Sequence, residues 1–194
     1  MAKRRAEDNG RYQFEPATTA RWDDLVALFG ERGACNGCWC MWWRLKGRDF
    51  EAGVGAGNRQ ALRDLMDQGV VPGILAYEGD RPVGWCSVGP RQDFPRLNRS
   101  QRLRPIDDRP VWSIVCYFVD GNARGRGLMQ ALTEAAVDYA RSNGARIVEA
   151  YPTEPEAERS NGNLYMGVAH ILMQAGFAEV AHRGGPHRIL RRYL

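Results

Sequence analysis

The sequence predicts a single-domain α/β protein. Its 194 residues are enough to bury one full hydrophobic core. Segments with apolar residues at helical spacing alternate along the chain with short apolar runs typical of strands. Apolar residues make up 44% and charged residues 26%, the balance of an ordinary globular protein. No run approaches the roughly 18 apolar residues of a membrane-spanning helix, so we expect no membrane association.

The N-terminal part is predicted to contain an arm and two helices. Residues 1–15 have a basic start with no apolar stretch behind it, which predicts a flexible arm and excludes a signal peptide. Apolar residues recur at helical spacing over 18–30, and a glycine ends this helix. After the glycine-rich turn 53–58, the segment 59–69 repeats the helical pattern.

The middle of the chain is predicted to form strands. Two apolar runs around Glu78-Gly79-Asp80 predict a hairpin. Residues 90–110 are rich in proline and arginine and have no clear period, which predicts a long excursion of the kind that is often functional. The aromatic and β-branched run 110–120 predicts a central strand.

A glycine turn follows the central strand and opens the next predicted helix, which begins at residue 128. The remaining predicted elements are a strand over 146–151, a helix near 163–174, and closing strands within 176–183 and 187–194.

Charge and cysteine content narrow the possible partners. The net charge of +4 is mild, although arginines are dense over 91–105. A phosphorylated cofactor explains such a basic patch as well as a nucleic acid does, so we expect no nucleic-acid partner. The five cysteines are an odd number in a chain without an export signal. This favours free thiols and a reducing cytoplasm.

The strongest chemical signal is the stretch YFVDGNARGRGLM. Gly125 and Gly127 would leave backbone amides open at a helix N-terminus, where unpaired donors and the helix dipole hold phosphate groups. Arg124 and Arg126 add positive charge. The stretch lacks both the Walker lysine and the third glycine of a dinucleotide fingerprint. Taken alone, it is also compatible with an ordinary tight turn.

This stretch resembles the central motif of the GNAT superfamily of acyl-CoA N-acyltransferases. In that family, a strand with an apolar-x-Val step leads into R/Q-x-x-G-x-G/A at the start of a helix. Tyr117 and Val119 match the strand, Arg124 the R/Q position and Gly127 the first glycine. Met129 stands where the family usually has a small residue. The order of the predicted elements resembles the family as well.

The resemblance implies an acyl-CoA N-acyltransferase domain over 16–194, with a mixed, mostly antiparallel twisted sheet that splays at the central strand and carries helices on both faces. It also implies acetyl-CoA as co-substrate, whose pantetheine would pair with the backbone of Tyr117, Phe118 and Val119. The pyrophosphate would lie on the turn, at Arg124, Gly125, Arg126, Gly127, Leu128 and Met129. An amine would attack the thioester directly in a ternary complex.

Glu149 and Tyr165 are the candidate catalytic residues. A primary amine is mostly protonated at neutral pH, so a base or a water chain must deprotonate it. Glu149 lies on the strand that would border the gap in the sheet. The family often has a tyrosine that protonates the leaving thiolate, four residues before the glycine of its "GF" pair. Leu172 occupies that position here. Tyr165, on the same predicted helix, is the substitute. The alternative interpretations are that Glu149 is a solvent-facing strand carboxylate and that Tyr165 is a core aromatic residue. Glu154 and Glu156, in the following loop, are predicted to be solvated.

The stretch ACNGCWCMWWR (34–44) has three interpretations. Cys35, Cys38 and Cys40 offer three of the four ligands that zinc needs, but no paired histidine spacing supplies the fourth, so no metal is predicted. A reactive redox cysteine is the second interpretation.

The preferred interpretation is a wall on the acceptor side of the cleft. Trp39, Trp42 and Trp43 would offer flat faces to an apolar, aromatic or cationic substrate. A core or interface cluster of tryptophans is the alternative.

The sequence therefore predicts an N-acetyltransferase that moves an acetyl group from acetyl-CoA to a small-molecule amine. A protein or peptide N-acetyltransferase is one alternative. A CoA-binding regulator without turnover is another, as is a zinc-dependent nucleic-acid binder. A homodimer is possible.

Overall fold

The computed structural model describes residues 10–153 and 164–194. The strands are β1 (Gln13–Pro16), β2 (Gly73–Glu78), β3 (Arg81–Pro90), β4 (Trp112–Val119), β5 (Ile147–Ala150), β6 (Ala178–Ala181) and β7 (Ile189–Tyr193). The helices are α1 (Trp22–Phe29), α2 (Gly47–Ala52), α3 (Ala56–Asp67), α4 (Pro95–Arg99), α5 (Leu128–Ser142) and α6 (Ala169–Gln174). Among these helices, none combines the length and apolar character that crossing a membrane requires.

In the described residues, seven strands form one sheet in the order β1-β2-β3-β4-β5-β7-β6. Neighbouring strands run antiparallel except β4 and β5, which are parallel. Parallel neighbours need a crossover connection, and α5 supplies it. The mixed, mostly antiparallel sheet of the prediction is confirmed.

Helices cover both faces of the sheet. On one face, α1 and α3 pack with β2 and β3 in a cluster that includes Trp85. On the other face, α5 and α6 pack through residues such as Leu132 and Leu172. The alternation along β4 follows from the strand period of two: Tyr117 belongs to the α5 face, whereas Cys116 and Phe118 pack toward α1.

The C-terminal part of the predicted arm, residues 1–15, belongs to a strand. β1 pairs with β2 from Gln13 to Pro16, and Tyr12 is only 7% exposed. Phe14 packs against the core cluster on the α5 face, so its burial fixes the strand at the edge of the sheet. Residues 1–9 lie outside the described part of the chain.

The arginine-rich excursion has regular structure and is anchored to the core. It contains a 3₁₀ turn at Arg91–Asp93 and the short helix α4. Phe94 and Leu97 are fully buried, and Leu103 is 2% exposed. These apolar residues are too few to show a period among the arginines, which is why the sequence predicted an irregular loop.

Candidate functional site

The sheet divides between β4 and β5. Their ladder contains only three residue pairs and ends at Ile114 and Ala150. β4 itself continues to Val119. Between Ile114 and Val119, no described strand pairs with β4 on the β5 side. Opposite β3, Val115 is the extra residue of a β-bulge, a feature that is frequent near active sites. The result is a fork whose β4 edge can pair with an extended ligand that carries amide groups.

The C-terminal end of β4, at the open side of the fork, leads to the glycine turn. Gly125 and Gly127 have φ angles of 71° and 77°, which glycine adopts at little cost. A side chain added at either position would enter open space. In the described part of the chain no side chain caps the N-terminus of α5, and the Ala131 amide donates a backbone hydrogen bond to the Gly127 carbonyl at 3.2 Å. Amides at such an N-terminus suit a phosphate group.

Two arginines make the mouth of this turn cationic. The Arg124 Nε donates to the Val119 carbonyl at 3.2 Å, so its guanidinium stays at the end of β4. The Arg126 Nη1 lies 3.7 Å from a Glu78 carboxylate oxygen. Both residues are exposed, so their charges act on anions that approach through solvent.

A buried charged network holds the base of the fork. Glu149 is 1% exposed, and its carboxylate accepts hydrogen bonds at 2.8 Å from both Arg91 Nη1 and Arg191 Nε. The Tyr151 hydroxyl donates to the same carboxylate at 2.7 Å. Ser113, directly opposite Glu149 on β4, lies 2.8 Å from the Tyr151 hydroxyl. Glu149 is therefore not the solvent-facing carboxylate of the alternative interpretation. Three hydrogen-bond donors around its carboxylate favour a role in holding the strands together, which we call the clamp, over a role as proton acceptor.

The network extends to the surface through Asp107. Arg191 donates to both carboxylate oxygens of Asp107, at 2.7 and 3.0 Å. These bonds hold the pKa of Asp107 well below its usual value and raise that of Arg191. A cavity of about 390 Å³ opens over this side of the network, lined among others by Arg91, Arg109 and Asp107.

Tyr165 lies beside the fork. It belongs to a 3₁₀ turn, Leu164–Met166, that contacts β4, and its ring packs against the cluster that contains Val115. Burial raises the pKa of Tyr165 to about 12, so its phenol keeps its proton at physiological pH. Leu172, at the usual position of the family's acid, is fully buried in the core.

Two of the three tryptophans are core residues. Trp39 is 3% exposed, with its ring centroid 6.1 Å from that of Trp22 and 5.7 Å from that of Phe29. Trp43 is 8% exposed in the cluster around Phe94, and its buried Nε1 has no hydrogen-bond partner among the described residues. The prediction that these two rings face an acceptor needs correction, because both rings are buried in core clusters.

Trp42 differs from both. It is 39% exposed, and the Arg96 guanidinium lies 3.7 Å from its ring centroid. The Phe50 ring meets it edge-on at 5.1 Å. Of the three tryptophans, Trp42 therefore keeps a ring edge toward solvent.

The backbone around these tryptophans is unusual. We call residues 33–45 the wall segment, because they cover the α1 face of β3 and β4. Ala34, Asn36, Trp39 and Cys40 have φ angles of 69°, 47°, 45° and 56°. Such angles are uncommon in residues other than glycine and persist only where surrounding contacts enforce them. Here Gly37 is held by hydrogen bonds of its carbonyl with the Gly55 amide and the Asn58 side chain.

The cysteines of the wall segment are free thiols. Cys40 is 6% exposed, and its sulfur accepts a hydrogen bond from Trp85 Nε1 at 3.0 Å. Within residues 10–153 and 164–194, no three His, Cys, Asp or Glu side chains are arranged to hold a metal ion. The zinc interpretation of Cys35, Cys38 and Cys40 therefore finds no support in this part of the chain.

The charged network was not predicted. Arg91 lies in the arginine-rich stretch 91–105 and Arg191 in the last predicted strand, and nothing local marks either as a partner of Glu149. A signal existed: Glu149 interrupts an apolar strand, and a carboxylate in a buried strand needs cationic partners on its neighbours. Glu154 and Glu156, predicted to be solvated, lie outside the described residues.

The comparisons with known proteins agree with the geometry. The model of the acetyltransferase (GNAT) family matches residues 39–166. No curated protein matches the sequence. The PaiA N-acetyltransferase from Thermoplasma acidophilum, solved in complex with coenzyme A, has a similar structure, with a TM-score of 0.54 at 10% identity over 94% of this chain and 99% of that chain.

Two further solved structures are similar. Agmatine N-acetyltransferase, solved as the apo form of a mutant, has a TM-score of 0.56 at 12% identity over 95% of this chain and 100% of that chain. The ribosomal-protein-alanine N-acetyltransferase from Brucella melitensis has a TM-score of 0.52 at 19% identity over 94% of this chain and 99% of that chain. At these identities the likeness shows the fold.

The network yields a stability prediction. Replacing Glu149 with glutamine leaves Arg91 and Arg191 buried without a counter-charge at this point. We expect the free energy of unfolding, measured by urea denaturation, to fall by about 3–5 kcal/mol. Glu134→Gln is the matched control, because Glu134 is 42% exposed in its pair with Arg192 and should contribute at most about 1 kcal/mol. Similar losses in both variants would contradict the clamp.

Proposed function

The chain belongs to the acetyltransferase (GNAT) family, and from this we propose that it moves the acetyl group of acetyl-CoA to the primary amine of a small molecule. Acetyl-CoA-dependent N-acetyl transfer is the activity of the family. The nature of the acceptor and the roles of individual residues are our proposal. The observation that carries it is the edge of β4 with which no described strand pairs beyond Ile114, and which leads directly to a helix N-terminus that no described side chain caps.

Acetyl-CoA is proposed to lie along this edge. The backbone of Tyr117, Phe118 and Val119 would pair with the two amides of pantetheine, as a strand would. The pyrophosphate would rest on the turn 124–129, where the α5 amides and the charges of Arg124 and Arg126 favour an anion. The open space around the two glycines supports this fit, because a bulky group needs that room. Met129, which departs from the family motif, has its side chain against Gly167, on the core side.

The acceptor is proposed to be a small molecule. The wall segment covers the sheet face next to the fork, with Met41 at 2% exposure and Trp39 at 3%. A covered face offers less room to an extended peptide than an open groove does. The similar structures include an agmatine and a ribosomal-protein-alanine N-acetyltransferase, so the fold alone favours neither class. Trp42 is the proposed aromatic contact for the acceptor.

The reaction is proposed to be direct. The amine nitrogen attacks the thioester carbonyl, the C–S bond breaks, and the CoA sulfur leaves. Tyr165, whose turn contacts β4 beside the fork, is the proposed donor of a proton to that sulfur. Because the oxygens of Glu149 are taken by Arg91, Arg191 and Tyr151, we assign removal of the amine proton to water at the mouth of the fork.

The cofactor site predicts a specific effect of Gly127→Glu. A carboxylate in the proposed pyrophosphate position should abolish the rise in melting temperature that coenzyme A causes in the wild type, because only ligand bound to the folded state stabilises it. Gly144→Glu is the matched control. This glycine also has a positive φ, of 82°, and open space around it, but it follows the C-terminus of α5, at the opposite end of the helix from the glycine turn. Loss of the rise in both variants, or in neither, would contradict the site.

The acceptor class is tested with purified protein and acetyl-CoA, by following thiol release. We expect kcat/KM for the best of a panel of small primary amines to exceed that for hexapeptides with free N-termini by at least about tenfold, which is about 1.4 kcal/mol of transition-state binding. A preference for the peptides would favour the protein acetyltransferase. Coenzyme A binding without turnover of any amine or peptide would favour the regulator.

Tyr165→Phe tests the proton donor. A general acid typically contributes 10²-fold or more, so kcat should fall by about 10²-fold while KM for acetyl-CoA changes less than about twofold. Tyr193→Phe, at a tyrosine that is 57% exposed on the last strand, should leave kcat unchanged. An unchanged kcat in Tyr165→Phe would assign the ring to packing alone.

A further inference from the structure

A cavity separate from the fork lies between the wall segment and α3. Its volume is about 340 Å³, within the range of small-molecule sites. Met41, Arg44 and Leu45 of the wall segment line one side of it, and Val70 and Asp93 line it as well. We call this cavity the α3 pocket.

One face of α3 supplies the other side of the pocket. The residues of this face follow the i, i+3, i+4 and i+7 spacing of a single helix face: Ala61, Asp64, Leu65 and Gln68. The buried residues of α3 lie on a different face, namely Asn58, Leu62 and Met66. Ala61 and Leu65 are only partly buried. The helix therefore carries a second apolar stripe, which the core does not fully cover.

The α3 pocket lies near the end of the sheet where β4 and β5 are paired. The Arg44 Nη2 donates to the Pro72 carbonyl at 3.5 Å, and a side chain added at Gly89 would come within 3.6 Å of the same nitrogen. Gly89 pairs with Ser113, in the part of β4 that still pairs with β5. Among the described residues that line the pocket, none belongs to β4, to β5 or to the glycine turn. An occupant of the pocket would therefore leave the proposed acetyl-CoA site free.

The charges around the pocket favour a cation. The Arg44 side chain is 5% exposed, and its Nη1 lies 3.3 Å from a carboxylate oxygen of Asp93. The Arg44 guanidinium also lies over the Phe94 ring, 4.6 Å from its centroid. Asp64 has no such partner: its Oδ1 accepts a hydrogen bond from the neutral Gln60 amide at 2.8 Å, and no cation in the described part of the chain pairs with it. Two carboxylates and one guanidinium thus leave one negative charge at the pocket.

We propose that the α3 pocket binds a primary amine with a compact apolar body. The body would pack against Leu45, Leu65 and Val70, which are all partly exposed, and the ammonium group would pair with Asp64. Burial of apolar surface supplies most of the affinity, and the ion pair adds a modest preference for the cation. Such an occupant joins α3 to the wall segment. The inference goes beyond the proposed function, because this site lies outside the fork.

The experiment follows the backbone amide signals of the full chain by NMR at neutral pH, without acetyl-CoA. The probes are phenethylamine, phenethyl alcohol and hydrocinnamate, which share one apolar body and differ in charge. Phenethylamine should shift the amides of Ala61, Leu65 and Val70 until they saturate. Its Kd from these shifts should be at least about threefold lower than that of phenethyl alcohol, since an exposed ion pair contributes modestly.

Three variants locate the site. Asp64→Asn removes the charge and keeps the shape, so the amine and the alcohol should bind equally. Asp67→Asn is the matched control, because Asp67 is exposed on the same helix, pairs with Arg63 at 3.0 Å and does not line the pocket. This control should retain the preference for the amine. Ala61→Phe, at a partly exposed position, places a ring in the cavity and should weaken the binding of both probes.

Other results would overturn the proposal. Tighter binding of hydrocinnamate than of phenethylamine would assign the pocket to anions through Arg44. Equal losses in Asp64→Asn and Asp67→Asn would show attraction by surface charge in general. Shifts confined to the amides of residues 117–119 would place the amine in the fork, and the absence of saturable shifts at the pocket amides would exclude the site. None of these readouts uses acetyl transfer, so they are independent of the outcome for the proposed function.

Discussion

The short parallel ladder between β4 and β5 is the constraint on which the rest of the structure depends. Every other neighbouring pair in the described sheet is antiparallel, and this one stops after three residue pairs. A parallel pair forces the chain to cross over, which places α5 and its glycine turn at the end of β4. Early termination of the ladder leaves one edge of β4 without a partner strand among the described residues. The strand edge and the helix N-terminus thus become one continuous surface because of a single topological choice.

A ladder of three pairs is weak by itself, and the Glu149 network supports it. Arg91 comes from the segment after β3, Glu149 from β5 and Arg191 from β7, so one carboxylate joins three parts of the sheet. Breaking such a buried pair costs much more than forming it gains, which makes the arrangement specific even where it adds little net stability. The paired part of β4 and β5 is therefore held by the Glu149 network, whereas the two strands separate beyond Ile114 and Ala150.

The sequence was sufficient to predict the fold class, the hairpin, the central strand and the turn behind it, since these depend on local period and on glycine. It failed where partners distant in sequence decide the outcome. The ring of Trp39 is buried because Trp22 and Phe29 receive it, and nothing local in ACNGCWCMWWR distinguishes it from the exposed Trp42. A carboxylate in the apolar strand β5 signals buried cationic partners, but the two arginines that pair with Glu149 lie 58 and 42 residues away along the chain. The anchoring of the excursion by Phe94 and Leu97 was hidden among arginines for the same reason.

The order of strands also bears on how the chain assembles. β1 to β4 are consecutive neighbours and all precede α5 in the sequence, whereas β5, β7 and β6 follow α5 and form the second half of the sheet. The groove between β4 and β5 is therefore the seam between two halves that are each contiguous in sequence. A ligand that pairs with the open edge of β4 adds to this seam, so its binding and the docking of the two halves reinforce each other. Division of the polypeptide within the crossover would give two fragments, each with its own strands, whose reassembly is coupled to the ligand.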